Sequence, residues 1–427
     1  MRRLIALLII AAALIAPGIV GARGRPSVRH KEGGASSPWS YPWRFAYCSD
    51  VHLGWTFGGT TIRTTYNFGK FIDTLNAIKK YAPGGLDFMV LGGDYAEDAL
   101  RSTTLYGPTA IESLAACQSR TLIPWWPVVG NHELVINIDD PAENDTISYE
   151  PTIRAINRFP AFFYARHPYY SKTWKNLDFM ALNNCVNYDV ASNLDYLANN
   201  PFGNGAEVPG LDFYGMAATS GTERTAMRTF LANRSKARWL IVAQHRANYG
   251  SDANSSNRYN WNSGPLRSTG YIKEIEDSLK TDERGIILFG DQHLPLWFTR
   301  AMRDSAVASG TGKGLYHIGV SGSGGARPAD STEAISGAWL QACLFGASGG
   351  VTALRGHTST AWSDTLSAKS DRDAMRTWTW QLYTVYADVI EVETFRVYTS
   401  LSSGSGYYTG AGSNRLIDRR TITRDTQ

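Results

Sequence analysis

The sequence predicts an α/β protein, a parallel sheet with helices packed on it, on two observations. Short, continuous apolar runs alternate with segments that place apolar residues at helical spacing. That is the pattern of strands buried on both faces and joined by crossover helices. Five of the runs also give way at once to a short polar stretch holding aspartate, asparagine or histidine. Parallel strands deliver polar groups in this way to the carboxyl rim of a sheet, where open α/β proteins bind ligands.

The first run, residues 43–49, passes straight into Asp50-Val51-His52. Phe68, Phe71, Ile72, Leu75 and Ile78 then recur at helical spacing, predicting a helix over 68–81 that Pro83-Gly84-Gly85 stops. Residues 86–91 form the second run and end in Gly92-Gly93-Asp94. A helix over 109–120 leads to Trp125-Trp126-Pro127-Val128-Val129, which ends in Gly130-Asn131-His132-Glu133. Strand, helix, strand, helix, strand makes a right-handed βαβαβ unit. Downstream, 169–174 and 177–182 flank Lys175-Asn176 and read as a hairpin. A helix over 222–235 has Met227, Phe230 and Leu231 as its apolar side, and it precedes the run 239–243 with Gln244-His245 at its end. A helix over 270–280 precedes the fifth run, 285–289, which ends in Gly290-Asp291-Gln292-His293. A strand over 314–320, a strand pair over 378–398 and an edge strand over 416–422 complete the reading.

The chain has 427 residues, 43% hydrophobic and 12% aromatic, enough to bury a sizeable core. Met1-Arg2-Arg3, an apolar run to Val20 and the small residues Gly21-Ala22 predict a signal peptide over 1–22. A flexible tether over 23–40 follows, then one domain over 41–427 with inserted loops at 187–221 and 249–268 and a decorated part at 331–427. No later segment is apolar enough to span a membrane once the leader is cut. Formal charge is +4, and losing Arg2 and Arg3 leaves +2, too little and too dispersed for a nucleic-acid footprint. Cys48, Cys117, Cys185 and Cys343 lack CxxC spacing. A zinc knot is therefore not expected; one or two disulfides remain open, as does a plain apolar role for Cys48.

Together the five runs present Asp50, His52, Asp94, Asn131, His132, His245, Asp291 and His293, and four of the chain's eight histidines fall here. One such residue alone usually caps a helix or bonds a loop. Five ends of one kind point instead to metal. Imidazole and carboxylate donors with one amide oxygen, and no thiolate, suit Zn²⁺, Mn²⁺ or iron. Two such ions held roughly 3.5–4 Å apart can clamp an oxygen-rich ester and activate water between them.

The ordered set D-x-H, G-D, G-N-H-E, H and G-x-x-H, standing at Asp50-Val51-His52, Gly93-Asp94, Gly130 to Glu133, His245 and Gly290 to His293, resembles the calcineurin-like metallophosphoesterase superfamily. The resemblance spans about residues 43–320. It implies a four-layer α/β/β/α sandwich with two central mixed sheets and a dimetal site at the strand C-terminal ends. Carried over, Asp50, His52 and His293 would hold one metal, Asp94 would bridge, and Asn131 and His245 would hold the other. His132 would assist the leaving oxygen as a metal-bridging hydroxide attacks a phosphate ester in line. The family usually ends G-H-x-H, whereas Asp291 stands here, an ending similar to that of D-type alkaline phosphatases, whose early blocks differ. Asp291 is either a ligand, which favours Mn²⁺, Fe or Ca²⁺ over Zn²⁺, or a partner that touches a ligand without touching metal. Glu97 stands where a purple acid phosphatase would carry tyrosine, so that signature is absent. The expected activity is thus an exported phosphoesterase with two metal ions acting on a small phosphate ester or nucleotide. A phosphodiesterase, a nucleotidase and a non-catalytic binding protein on the same scaffold remain alternatives.

Overall fold

The computed structural model describes residues 42–53, 56–57, 60–61, 64–95, 110–130, 169–182, 222–245, 271–279, 283–290, 297–299, 315–320, 378–397 and 414–424. The first strand, β1 (Trp43–Cys48), is followed by a two-rung ladder of β2 (Thr56–Phe57) and β3 (Thr60–Thr61), which the sequence pattern does not predict. Next come α1 (Thr64–Tyr81), β4 (Phe88–Leu91), α2 (Ala110–Gln118) and β5 (Trp125–Pro127). The second half holds β6 (Tyr170–Trp174), β7 (Leu177–Ala181), α3 (Thr222–Asn233), β8 (Trp239–Ala243), α4 (Tyr271–Ser278) and β9 (Gly285–Phe289). The last described strands are β10 (Trp297–Thr299), β11 (Leu315–Gly319), β12 (Trp378–Val385), β13 (Val389–Val397) and β14 (Asn414–Thr423).

These strands make two six-stranded mixed sheets, ordered β14-β13-β12-β1-β4-β5 and β10-β11-β9-β8-β7-β6. In the first sheet β1, β4 and β5 run parallel, as the βαβαβ reading requires. Strands β12, β13 and β14 extend that sheet antiparallel from β1. In the second, β7, β8, β9 and β11 run parallel, with β6 and β10 antiparallel at the two edges.

Period-two alternation sorts each strand's side chains into two layers. Trp43, Phe45, Tyr47, Phe88, Val90 and Trp126 point from the first sheet toward Leu177, Phe179, Ala181, Trp239, Ile241 and Ile286 of the second. The alternate residues Ala46, Cys48, Met89, Leu91 and Trp125 pack under α1 and α2, against Phe68, Phe71, Ile72, Leu75 and Leu114. On the far side Met180, Leu240, Val242 and Ile287 meet Met227 and Leu231 of α3 and Tyr271 and Ile275 of α4. The order is therefore helix, sheet, sheet, helix, and covering both sheet faces explains why the strands read as unbroken apolar runs. Aromatic stacking ties the middle layer: Phe88 lies on Trp126 at 3.6 Å and Phe45 on Tyr383 at 4.4 Å between ring centroids.

The α1 stripe at 68, 71, 72 and 75 is the buried face expected from its spacing, and Lys79 and Lys80 in its last turn complement the helix dipole. The helix begins at Thr64, four residues before the apolar stripe does. The hairpin turns at Lys175-Asn176, since Trp174 pairs with Leu177, and Lys175 takes φ 50°. Cys48 and Cys117 are buried free thiols, with Cys48 Sγ 3.6 Å from Met89 Sδ. Among the described residues no helix is long and apolar enough to cross a membrane. The signal peptide, the tether, both inserted loops, Cys185 and Cys343 lie outside the described residues.

Candidate metal centre

Strand registers bring the polar rim into line. Cys48 pairs with Leu91 and Leu91 with Pro127 in the first sheet, and Ala243 pairs with Leu288 in the second. Hydrogen bonding continues past the formal strand ends. Gly92 N–H donates to Cys48 O (2.8 Å), Asp50 N–H to Gly93 O (3.0 Å) and His52 N–H to Asp94 O (2.9 Å). In the second sheet Gly290 N–H donates to His245 O at 2.8 Å. The loops that carry Asp50, His52, Asp94 and His245 are thus fastened by backbone before any side chain acts.

That fastening holds unusual backbone. Asp50, His52 and Asp94 take φ of 53°, 46° and 47°, three of the four positive-φ residues other than glycine among those described. Left-handed backbone costs an ordinary L-residue roughly 1–2 kcal/mol, although aspartate and histidine tolerate it better than most. Conformations of this kind gather where a site needs a side chain aimed in one direction.

The side chains converge. One ligand atom each from Asp50, Asp94 and His245 lies within 4.8 Å of the other two, and all three residues are buried. Asp94 Oδ2 sits 3.0 Å from His245 Nε2 and 3.9 Å from His52 Nε2, between two imidazoles. Asp50 Oδ1 is 4.0 Å from the same His245 Nε2. His245 Nδ1 lies 2.8 Å from the carbonyl oxygen of Gly92, which can only accept, so Nδ1 carries a hydrogen directed there and Nε2 is left to face the carboxylates. A backbone carbonyl that sets the tautomer in this way is the usual support of a metal-binding imidazole.

Glycines make the approach possible. Gly93 has φ 97°, and a Cβ there would fall on the His245 ring and lie 2.9 Å from Gly130 Cα. The ends of β4, β5 and β8 therefore meet at one point, where only hydrogen fits.

The electrostatics call for a cation. Burial, opposed by His245 and reinforced by the Asp94 charge, raises Asp50 from 3.8 to about 6. Two carboxylates this close and this dry repel unless positive charge lies among them. A hard or borderline divalent ion with oxygen and imidazole donors fits this set.

Among the residues expected at the site, Asp50, Asp94 and His245 come together and His52 stands beside Asp94. Asn131, His132, Asp291 and His293 lie outside the described residues, as does Glu97. Their predecessors Gly130 and Gly290 are described: Gly130 packs on Gly93, and Gly290 lies against Asp50 and Ser49.

The model of the calcineurin-like phosphoesterases matches residues 44–295, more than half of the chain. The chain belongs to that family. Calcineurin-like phosphoesterases are generally phosphoric ester hydrolases and typically bind two metal ions, and Asp50, Asp94 and His245 form a candidate site for them here. No curated protein matches the chain. Solved structures similar to it include PhoD, at 13% identity and a TM-score of 0.46 over 91% of this chain and 74% of that one. The phosphopantetheinyl hydrolase PptH from Mycobacterium tuberculosis shares 14% identity at a TM-score of 0.34, over 66% of this chain and 90% of that one. A 5'-nucleotidase from Candida albicans shares 15% at a TM-score of 0.38, over 65% of this chain and 46% of that one.

Sequence reasoning missed the support behind His245, namely the Gly92 carbonyl. A backbone carbonyl has no residue signature.

Proposed function

We propose that this calcineurin-like phosphoesterase is exported and hydrolyses small phosphate esters at a two-cation centre on the rim of its paired sheets. The observation that carries the reading is the convergence of Asp50, Asp94 and His245, from the ends of three different strands, on one buried point. Cations at such a centre offset charge on the phosphoryl oxygens and activate water. The chain's own residues hold and orient. Asp94 Oδ2, between His52 and His245, takes the bridging place. Asp50 and His52 serve one side and His245 the other. Asn131 and Asp291 directly follow the two glycines packed against the cluster, so we assign Asn131, Asp291 and His293 to complete the donor set. His132, next to Asn131, gives its proton to the departing oxygen. The leader at 1–22 supports export.

Metal analysis of the purified full chain tests the centre, with two ions per chain expected and none refuting it. His132→Ala is expected to keep both ions and lose roughly 10²–10⁴-fold in turnover of an aryl phosphate. Wild-type turnover in that variant removes His132 from the reaction. Comparing an aryl monoester, an aryl diester and nucleotides decides the ester class, and a loaded chain that turns over none of them is a binding protein.

A further inference from the structure

The end of β8 sends its side chains two ways. Trp239, Ile241 and Ala243 face the other sheet, whereas Leu240 and Val242 face α3 and α4. The same alternation turns His245 inward, to Gly92 and Asp94, and Gln244 outward, under α4. Gln244 is wholly buried there. The Tyr271 hydroxyl, at the start of α4, donates to its Oε1 at 2.9 Å.

Helix α4 is itself well anchored. Tyr271, Ile275 and Leu279 pack into the outer apolar layer, and Glu274 accepts from Arg224 and Arg228 of α3 at 2.7 Å each. The backbone at Gln244 is held from the other side as well: Gln244 N–H donates to Leu288 O at 2.9 Å, and Gly290 N–H to His245 O at 2.8 Å. The peptide between Gln244 and His245 is therefore gripped by β9 along the sheet and by α4 across it. Its orientation sets where the His245 side chain starts. From there the ring must meet Gly92 O at 2.8 Å and Asp94 Oδ2 at 3.0 Å together.

Stability alone does not account for this pair. A buried amide and phenol that satisfy one another add little over two apolar side chains of the same shape. What a satisfied buried pair adds is a single fixed arrangement. We infer that Tyr271 and Gln244 are positioning residues for His245: the phenol grips the amide from α4, and that grip aims the imidazole at the cation position shared with Asp50 and Asp94. The inference rests on the metal reading of the site. It concerns how tightly the chain binds a cation and needs no assumption about which ester is cleaved.

The test titrates Mn²⁺ into the metal-stripped full chain by calorimetry, with thermal unfolding alongside, for wild type, Tyr271→Phe, Tyr383→Phe and the double variant Gln244→Leu with Tyr271→Phe. Tyr271→Phe keeps the packed ring and takes away the donor. It is expected to weaken Mn²⁺ binding about tenfold, the low end for a partner behind a metal ligand. Its unfolding temperature should fall too, because the buried amide loses that donor. The double variant makes both partners apolar, so its unfolding temperature should return toward wild type while Mn²⁺ binding stays weak. Tyr383→Phe removes a matching buried bond, 2.8 Å from its phenol to Gln381 Oε1, on a strand that carries none of the expected ligands. It should lower the unfolding temperature and leave affinity alone. Undiminished affinity in Tyr271→Phe, affinity that recovers with stability in the double variant, or an equal loss in Tyr383→Phe overturns the inference. If wild type itself takes up no Mn²⁺, the metal reading falls and this inference with it, an outcome distinct from the other three.

Discussion

Gly93→Ala tests whether the meeting of three strand ends is what builds the site. The structure sets two costs. Gly93 has φ 97°, and placing an L-residue in left-handed backbone costs at least about 1–2 kcal/mol. The new Cβ would also fall on the His245 ring, with Gly130 Cα 2.9 Å away on the other side. Overpacking of a filled interior adds about 1–3 kcal/mol. The sum, on the order of 2–5 kcal/mol, corresponds to a fall in unfolding temperature of roughly 2–6 °C for a chain of this size. The larger consequence is local. To admit the methyl group His245 must swing away, breaking its 2.8 Å bond to Gly92 O and pulling Nε2 off Asp94 Oδ2, now 3.0 Å away. Metal content, read by elemental analysis after gel filtration, should therefore fall along with stability. Gly85→Ala is the control: φ is 59° there and the new Cβ would meet only Lys79 at the far turn, Lys79 O lying at 3.1 Å. It should lower stability through backbone strain and leave metal content alone. A Gly93→Ala protein that keeps wild-type metal content, however unstable, would refute the argument that this glycine exists to seat His245.

Two further outcomes follow from the geometry. Asp50 is raised from 3.8 to about 6 mainly by burial, so between those values the folded, metal-free chain binds more protons than the unfolded one. Its unfolding free energy should then fall as pH rises from about 4 to about 6, by on the order of 3 kcal/mol. Urea melts of metal-stripped wild type and Asp50→Asn across that range check this, and an equal slope in the variant would show that Asp50 is not the source. At the opposite end of the sheets, Asn176 Oδ1 accepts from Trp43 Nε1 at 2.8 Å while its Nδ2 donates to Tyr386 O at 3.1 Å, joining the two sheets. Asn176→Ala leaves the indole N–H buried without that acceptor and should cost about 1–3 kcal/mol in urea melts, with metal affinity unchanged because the centre lies at the other rim.

How much of this was legible in the residues depends on which physical rule was in play. Local rules reported faithfully. Apolar spacing located α1 by Phe68, Phe71, Ile72 and Leu75, and unbroken apolar runs located β1, β4, β8 and β9, because covering both faces of a sheet leaves no polar alternation to confuse the reading. Features without local periodicity were silent. The polar first turn of α1, Thr64 to Asn67, carries no apolar stripe, and the β2–β3 ladder and β10 are too short for any period to show. Sheet membership was silent for a different reason. Trp43 pairs with Val385 across most of the chain, and nothing in either segment names the other. The site divides along the same line. Residue types at the strand ends pointed to Asp50, Asp94 and His245, which the fold gathers into a candidate metal site, since metal chemistry depends on side-chain identity. Their aim depends on backbone handedness. Asp50, His52 and Asp94 sit in left-handed conformations held by Asp50 N–H to Gly93 O and His52 N–H to Asp94 O, bonds between two loops far apart in sequence. Aspartate and histidine tolerate that conformation without demanding it, so no propensity scale could have announced it. The strain persists because the paired sheets impose it. The candidate donors are thus written in the sequence, whereas their common focus is a property of the fold.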